Sequence, residues 1–315
     1  MAATKVRILM VGEESAAVQT LKAIRSAPAS HEIVAVMTAD EIDVKNASLA
    51  NVAAQIGVPV WPSKLVKNPD FARLVKAEQV DLILNVHSRY IVHEKVLRAP
   101  RIGAFNMHPG PLPEYAGLNC VSWALYRGES HYAVTVHWMA PEIDAGNIAY
   151  QAAFAIEEKD TPLSLTHKCV KAGVPLLERL VETAGSAPET IPSLPQDLSR
   201  REYFSKDIPD GGKLLWNRRA GEIVNFVRAC DYTPFPSPWG LPTVFWEHGE
   251  MNVVKADRTH QKCDGAPGTV GECGESGALV ASADEWVSVR ELKIDGQYVK
   301  PQAVLKTGLL LHDGI

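Results

Sequence analysis

Apolar residues along the first 110 positions of the chain alternate between two spacings. Short continuous apolar runs, typical of buried parallel strands, occupy residues 6–11, 33–37, 58–61, 80–85 and 104–108. Between these runs apolar residues return every three or four positions, as they do on amphipathic helices, at Ala17, Leu21 and Ile24, at Leu49, Val52, Ala53 and Ile56, and at Phe71, Leu74 and Val75. Strands that alternate with helices predict an α/β fold with a doubly wound, Rossmann-like parallel sheet.

The pattern changes after residue 118. Asn119 is a residue type that caps helices, and it precedes a helix predicted to reach Tyr126 and to end at Gly128. Two apolar runs at 132–138 and 148–156 predict a pair of strands around a polar loop. Thr161 followed by Pro162 predicts the start of a helix that extends to about residue 184. These elements complete a first predicted domain over residues 1–184.

A second domain is predicted after a proline-containing linker at residues 185–205. Residues 206–315 contain one predicted helix at 220–229 and a proline-rich turn at 233–238. Short strands separated by Gly, Asp and Pro follow at 243–246, 252–255, 278–281 and 287–292. Such a series predicts a small β-barrel of the OB-like kind.

Composition and charge narrow the class of protein. The chain has 315 residues, and its 46% of hydrophobic residues excludes a disordered protein. No apolar run approaches the ~20 residues needed to cross a bilayer. A net charge of −5 argues against broad binding to nucleic acid or anionic membranes. Five scattered cysteines without C-x-x-C make a disulfide framework or a zinc site unexpected. The N-terminus has no signal-peptide layout, so we expect a cytoplasmic protein.

Candidate chemistry lies at the C-terminal ends of the predicted strands, where doubly wound sheets bind ligands. The first strand-to-helix turn, at residues 11–15, lacks the G-x-G-x-x-G spacing of a dinucleotide site. Asn106 and His108 are two residues apart at the end of a strand, so their side chains point to the same side. A stiff, proline-rich loop follows at 109–113, and the turn Ile143-Asp144-Ala-Gly146 supplies a carboxylate.

A histidine, an amide and a carboxylate suffice for acyl-group transfer. Histidine manages protons near neutral pH, an amide stabilises a developing oxyanion, and a carboxylate orients the imidazole and favours its protonated form. The spacing alone leaves a second interpretation open. A histidine at a strand end is often a hydrogen-bonded structural residue, and Asp-Ala-Gly is a common turn.

The stretch from Phe105 to Gly117, FNMHPGPLPEYAG, followed by IDAG at 143–146, resembles the 10-formyltetrahydrofolate-dependent N-formyltransferases. That family includes methionyl-tRNA formyltransferase and the amino-sugar nucleotide formyltransferases. The resemblance covers nearly the whole chain, and the segment 216–240 is similar to the opening of the family's C-terminal barrel-like domain.

The resemblance implies a catalytic trio of Asn106, His108 and Asp144 and a neutral primary amine that attacks the formyl carbon of 10-formyltetrahydrofolate. Asn106 and a protonated His108 would stabilise the oxyanion, and proton transfer would use His108 with Asp144 or a water. No metal is implied, and His137 is assigned a structural role. By the same resemblance, Tyr90, Ile91 and Val92 hold the pterin ring through backbone contacts. The other side of the pterin pocket is closed by the loop of Ala140, Pro141, Glu142, Ile143 and Asp144.

Two departures from the family pattern bear on the substrate. The loop His108-Pro-Gly-Pro-Leu-Pro113 replaces the usual His-Pro-Ser-Leu-Leu-Pro, so that Gly110 stands where a serine is common. The segment 115–129 is closer to formylation domains of peptide synthetases and to enzymes acting on ornithine-like amino acids. Leu118 and Asn119 belong to the predicted substrate-binding stretch, and Leu118 stands where amino-sugar enzymes carry an arginine. A small-molecule or carrier-bound amine is therefore favoured over a sugar nucleotide.

Three alternatives remain. The first alternative is methionyl-tRNA formylation. Residues 206–315 carry 12 Lys and Arg against 15 Asp and Glu, and this acidic balance disfavours binding of tRNA. Arg218, Arg219 and Arg228 could nevertheless form a local basic patch. Hydrolysis of 10-formyltetrahydrofolate would use the same trio with water in place of the amine. A folate-binding module without catalysis is the third. A homodimer is compatible with each.

Overall fold

The computed structural model describes residues 5–26, 31–39 and 48–314, which fall into two compact units. The first unit comprises Met1–Gly117, Tyr132–Phe154 and His167–Tyr203. The second comprises Leu118–His131, Ala155–Thr166 and Phe204–Ile315. Two short segments from the middle of the chain thus join the unit built mainly by the C-terminal third. The domain limits at residues 184 and 206 stay predictions.

The first unit is organised by a seven-stranded sheet with the order β3-β2-β1-β4-β5-β7-β8. Its strands are β1 (Val6–Gly12), β2 (His31–Thr38), β3 (Val60–Pro62), β4 (Leu82–Val86), β5 (Gly103–His108), β7 (His131–Trp138) and β8 (Ile148–Ala155). The intervening helices are α1 (Glu14–Ser26), α2 (Leu49–Gln55), α3 (Phe71–Ala77) and α4 (Glu94–Leu97). A two-residue strand β6 (Ala116–Gly117) pairs with β9 (Tyr203–Phe204). The predicted α/β fold is confirmed.

Strands β1 to β5 are parallel, as predicted, and their apolar runs are buried. Leu9 of β1 and Ile83 of β4 lie in one core cluster with Phe71 and Val75 of α3. The chain builds β2 and β3 on one side of β1, then returns to build β4 and β5 on the other. In sheets with such a reversal, ligands bind at the C-terminal ends of the two strands between which it occurs, which are β1 and β4 here.

The parallel sheet continues on its far side with an antiparallel neighbour, β7, whose direction the apolar pattern had left open. β7 runs against β5, and the register places His137 opposite Asn106 and Thr135 opposite His108. Apolar periodicity reports which face of a strand is buried, but it carries no information on strand direction. The reversal matters because it brings polar residues of β7 beside those of β5.

The second unit contains an antiparallel sheet with the order β10-β11-β14-β13-β12 and with β15 paired to β14. Its strands are β10 (Thr243–Trp246), β11 (Gly249–Lys262), β12 (Val270–Gly274), β13 (Gly277–Ala281), β14 (Glu285–Ile294) and β15 (Gln297–Val299). The helices α5 (Cys120–Arg127) and α7 (Ala220–Ala229) belong to the same unit. The predicted strands are present, and β12 and β15 are additional.

A closed barrel is not found within residues 48–314, contrary to the OB-like prediction. The edge strands β10 and β12 are not neighbours in the sheet. Single bridges join Phe245 to His312 and Thr269 to Leu310, so one short segment reaches both edges. Isolated bridges of this kind do not make a continuous ladder.

One helix, α6 (Pro162–Ser186), follows β8 and begins at the predicted Thr161-Pro162 signal. The predicted linker contains short 3-10 turns at Pro188–Thr190 and Leu198–Arg200. In the described ranges no helix combines the length and the apolar character needed to span a bilayer.

Leu84 offers a test of the packing around β4, because its side chain is fully buried. We expect Leu84→Ala to lower the free energy of unfolding by about 2–5 kcal/mol, since the surroundings fill the vacated space only partly. Leu74→Ala is the matched control: that side chain is 38% exposed, and its loss should be about 1 kcal/mol or less. Urea unfolding followed by tryptophan fluorescence measures both. Equal losses would contradict the assigned core.

Candidate active site

The predicted trio meets at one end of the β5–β7 pair. Nδ1 of His108 lies 3.5 Å from Oδ2 of Asp144, and Nδ2 of Asn106 lies 3.5 Å from Oδ1 of the same carboxylate. A fourth residue joins them, because Nε2 of His137 lies 3.5 Å from Asp144 Oδ1 and 3.1 Å from Asn106 Nδ2. Asp144 is therefore the common neighbour of both histidines and of the amide.

Backbone contacts hold Asp144 in the loop between β7 and β8. Its φ of +55° is left-handed, an uncommon conformation for a residue with a side chain, and one that clusters at functional sites. The N–H of Gly117 donates to Oδ2 at 2.9 Å. Gln196 Nε2 donates to the carbonyl oxygens of Asp144 and Gly146, at 2.8 and 2.6 Å. The loop is thus anchored at the carboxylate and at the backbone.

Gly146 explains the Asp-x-Gly spacing. A Cβ atom at this position would lie 1.8 Å from the carbonyl oxygen of Trp138, in the backbone of β7. Only a residue without a side chain lets the turn approach the strand this closely. The glycine therefore sets the distance at which Asp144 faces β5.

His108 is held by the loop that follows it. Its Nε2 lies 2.5 Å from the carbonyl oxygen of Tyr115, which can only accept a hydrogen bond. A Cβ on Gly110 would lie 2.8 Å from that Nε2 and 2.8 Å from the Tyr115 oxygen. Thr135 Oγ1 donates to the Gly110 carbonyl at 2.7 Å and accepts from the N–H of Leu112 at 3.2 Å. The His108 ring thus fills the space beside Gly110.

The two central groups are buried, with exposed fractions of 4% for His108 and 9% for Asp144. Burial lowers the pKa of His108, and it outweighs the opposing effects of Asp144 and of the Tyr115 carbonyl. Burial alone would raise the pKa of Asp144, but the attraction to His108 in its protonated form and the hydrogen bond from the Gly117 N–H hold that pKa well below its ordinary value. The lowered pKa values favour an ionised Asp144 and a neutral His108, and the Tyr115 carbonyl, which can only accept, favours a proton on His108 Nε2.

Two family models match the chain. Residues 4–181 match the model described as formyl transferase, and residues 208–307 match the one described as formyl transferase, C-terminal domain. The first match alone covers more than half of the chain. The chain belongs to the formyl transferase family. The predicted family is confirmed, and the protein is an enzyme of formyl transfer.

Solved structures share the fold of this formyl transferase. An N-formyltransferase from Helicobacter canadensis in complex with folinic acid and dTDP-3-aminofucose is 21% identical, with a TM-score of 0.69 over 90% of this chain and 99% of that one. The sugar 3N-formyl transferase WlaRD, with dTDP and 5-N-formyl-THF, is 20% identical, with a TM-score of 0.70 over 91% and 97%. HypX from Aquifex aeolicus in complex with tetrahydrofolic acid is 18% identical, with a TM-score of 0.60 over 96% of this chain and 47% of HypX.

The residues predicted to hold the pterin ring lie on two loops of the formyl transferase. Tyr90, Ile91 and Val92 follow β4; Val92 is in the core cluster, Tyr90 packs against that cluster, and Ile91 is 67% exposed. The second loop, with Ala140, Pro141, Glu142 and Ile143, leads from β7 to Asp144. Ile91 and Ile143 each carry an exposed apolar side chain. Their roles stay predictions.

Two residues that support the second loop were missed from the sequence, because they lie in the predicted linker. Gln196 holds the backbone on both sides of Ala145, as described above. Arg201 Nη2 donates to the carbonyl of Ile143 at 2.8 Å, and its Nη1 lies 3.5 Å from Glu142 Oε1. A polar residue among prolines gives no sequence signal for such a contact.

The predicted substrate-binding residues belong to the second unit. Asn119 begins α5 with a φ of +55° and makes no side-chain cap hydrogen bond. The Leu118 side chain is 45% exposed. Their contact with a substrate stays a prediction. In the described part of the chain, no group of three or more His, Cys, Asp or Glu side chains is arranged to hold a metal ion.

Gly110→Ala tests how closely the loop confines His108. The added methyl group should displace the imidazole and lower kcat about 100-fold, since a misplacement of about 1 Å is enough for such a loss. Gly274→Ala is the control, because a Cβ there has no atom within 4 Å and the residue is not at positive φ. Formyl transfer rates and thermal unfolding midpoints are measured for both. Equal activity of the two variants would show that the loop does not confine the His108 imidazole.

Proposed function

We propose that this formyl transferase moves the formyl group of 10-formyltetrahydrofolate to the primary amine of a small-molecule or carrier-bound substrate. The observation that carries the proposal is the buried meeting of Asn106, His108 and Asp144 within 3.5 Å contacts. Together they supply an amide donor, a neutral imidazole and an ionised carboxylate. A folate-binding module would need none of this chemistry, which disfavours the non-catalytic alternative.

The proposed reaction starts with attack of the neutral amine nitrogen on the formyl carbon. Asn106 Nδ2 donates a hydrogen bond to the formyl oxygen as negative charge develops on it. His108 accepts the amine proton at Nδ1, directly or through one water, because its Nε2 proton is committed to Tyr115. The ionised Asp144, 3.5 Å from Nδ1, stabilises the imidazolium, which returns the proton to N10 as its bond to the formyl carbon breaks.

In this sequence of events His108 is neutral before the attack and charged after it. The resemblance implied a protonated His108 that stabilises the oxyanion and takes part in proton transfer. The lowered pKa of His108, caused by burial, favours the neutral resting form. The same burial strengthens the attraction to Asp144 once the proton arrives, since little water screens the pair.

The formyl donor is proposed from the two loops and from the relatives. The loops 90–92 and 140–143 lie in the same unit as the trio and carry the exposed apolar side chains of Ile91 and Ile143. The similar structures were solved with folinic acid, 5-N-formyl-THF or tetrahydrofolic acid. A folate donor is consistent with both.

The charge of the second unit disfavours tRNA as the substrate. The three arginines of the predicted local patch are each occupied: Arg218 lies 2.7 Å from Asp210, Arg219 lies 3.9 Å from Asp284, and Arg228 donates to the carbonyl of Glu158 at 2.6 Å. A phosphate would have to compete with these contacts. The excess of acidic residues over residues 206–315 acts in the same direction.

Among small amines, two classes are supported by different observations. Two of the similar structures contain, or are named for, amino-sugar substrates, which makes a sugar amine the second candidate. Leu118 in place of the family's arginine favours an amino-acid-like or carrier-bound amine. Both classes belong in the assay.

The decisive assay follows tetrahydrofolate release from 10-formyltetrahydrofolate with no amine and with a panel of amines. The panel contains ornithine, hydroxyornithine, 4-amino and 3-amino sugar nucleotides and charged initiator tRNA. We expect turnover with one small amine only. Release with tRNA alone would replace the substrate class by methionyl-tRNA, and release without any amine would identify a hydrolase.

His108→Ala is the companion variant for this assay. It should reduce turnover by at least about 1000-fold, because proton transfer is lost. Binding of folinic acid, measured by calorimetry, should remain within about threefold of the unmodified protein. Near-normal turnover of this variant would remove His108 from the mechanism.

Asp144→Asn tests the electrostatic coupling through the pH dependence of kcat/KM. The carboxylate raises the pKa of His108 against the effect of burial, so its neutralisation should lower that pKa further. If the reaction needs neutral His108, the acidic limb of the kcat/KM profile should move to lower pH. The value of kcat should also fall. Profiles from about pH 5 to about pH 9 with one amine measure the shift.

Asp81→Asn is the control for this profile. Asp81 is also a buried carboxylate, 7% exposed, but it is paired with Arg101 at the start of β4. The acidic limb of the kcat/KM profile of Asp81→Asn should lie at the same pH as in the unmodified protein. If the acidic limb of Asp144→Asn also stays at its original pH, the proposed pairing of Asp144 with His108 is wrong.

A further inference from the structure

Four residues of the first unit form a chain of hydrogen bonds that passes through the amide of Asn106 and ends at the backbone carbonyl of Trp138. Asn85 Nδ2 lies 3.1 Å from Asn106 Oδ1, and Asn106 Nδ2 lies 3.1 Å from His137 Nε2. His137 Nδ1 lies 2.8 Å from the carbonyl oxygen of Trp138. Asn85 stands opposite Asn106 in the β4–β5 ladder, and His137 stands opposite it in the β5–β7 ladder. The catalytic amide is therefore flanked on both sides by polar residues of neighbouring strands.

The direction of this chain follows from its last member. A backbone carbonyl only accepts hydrogen bonds, so the proton of a neutral His137 is on Nδ1. Its Nε2 is then an acceptor and faces the NH₂ group of Asn106. The amide oxygen of Asn106 must point the other way, toward position 85, where it needs a donor. The NH₂ group of Asn85 is that donor.

We infer that Asn85 is a positioning residue for formyl transfer, which fixes the orientation of the Asn106 amide together with His137. The inference rests on the proposed function, because it matters only if Asn106 donates to the formyl oxygen. An amide turned by half a rotation would present oxygen instead of N–H to the developing negative charge. The groups that face the Asn106 amide make one of its two orientations lower in energy. The NH₂ group of Asn85 favours the amide oxygen on its side, and the acceptor Nε2 of His137 favours the amide NH₂ group on the other side, which is the productive orientation.

The remaining contacts do not select an orientation as strongly. Asp144 Oδ1 lies 3.5 Å from Asn106 Nδ2, farther than the 3.1 Å of either neighbour in the chain. Among the described residues, Asn85 Oδ1 is buried and has no hydrogen-bond partner. A substitution at position 85 therefore removes one contact, the bond to Asn106.

Asn85→Asp is the sharpest variant, because a carboxylate of the same size accepts hydrogen bonds and does not donate them. It should turn the Asn106 NH₂ group toward position 85 and leave the amide oxygen against His137. The oxyanion donor is then lost, and kcat should fall by about 100-fold to 1000-fold. The KM for 10-formyltetrahydrofolate should change by less than about threefold, because no folate contact is altered.

Two further variants separate positioning from general damage. Asn85→Leu removes the donor without reversing the amide, so kcat should fall about 10-fold, the equivalent of one hydrogen bond. Asn68→Asp is the matched control, since it introduces the same charge at an exposed asparagine whose side chain already serves as an acceptor, for the N–H of Asp70. It should leave kcat and KM unchanged.

The protonation of the His137 ring gives a readout that is independent of turnover. Nitrogen NMR of labelled protein, with His137→Gln to assign the signals, should show a proton on Nδ1 and none on Nε2. In Asn85→Asp, the Asn106 oxygen faces His137, and Nε2 should gain a proton. Asn85→Leu and Asn68→Asp should keep the original pattern.

A proton on Nε2 of the unmodified protein would overturn the inference, and so would an Asn85→Asp variant whose kcat lies within about threefold of Asn68→Asp. If no amine of the panel supports turnover, the proposed function fails. The NMR comparison still decides the orientation of the hydrogen-bond chain in that case. The two failures are therefore distinguishable.

Discussion

Across the antiparallel ladder between β5 and β7, Asn106 stands opposite His137 and His108 opposite Thr135. Opposed residues of such a pair project to the same face of the sheet, so this register assembles four polar side chains at one place. A slip by one residue would turn the set of one strand to the other face. The intervening Met107 and Val136 are buried, which holds the register through the apolar core. The active-site geometry is thus a consequence of sheet packing.

Burial gives this constellation its chemistry. An isolated carboxylate would be costly to bury, but Asp144 accepts from the Gly117 N–H and lies beside two imidazoles. The same loss of water lowers the pKa of His108 and leaves its Nδ1 free to accept a proton. An ionised Asp144 beside a neutral His108 is the arrangement that a proton-accepting step requires.

Contacts from distant parts of the chain hold the two loops that carry the trio. Thr135 of β7 ties the loop after His108, and Gln196 and Arg201 tie the loop that contains Asp144. Gly110 and Gly146 let the two loops lie as close to their neighbours as these contacts require, because a Cβ atom at either position would lie 2.8 Å or less from another atom. Residues 196–201, which look like connecting chain, are in this respect part of the site.

The sequence by itself determined the alternation of strands and helices, since burial of parallel strands leaves continuous apolar runs, and it placed β1 to β5 and α1 to α3 close to their observed positions. It also predicted Asn106, His108 and Asp144 as one site, through two short motifs that resemble those of the family, and the structure brings these side chains together. Only the tertiary structure decided that β7 runs against β5, that His137 and Asn85 flank the amide, and that Gln196 braces the Asp144 loop. The physical reason is that periodicity records which side of an element is buried. Periodicity contains no information on strand direction or on which distant residue a polar side chain contacts.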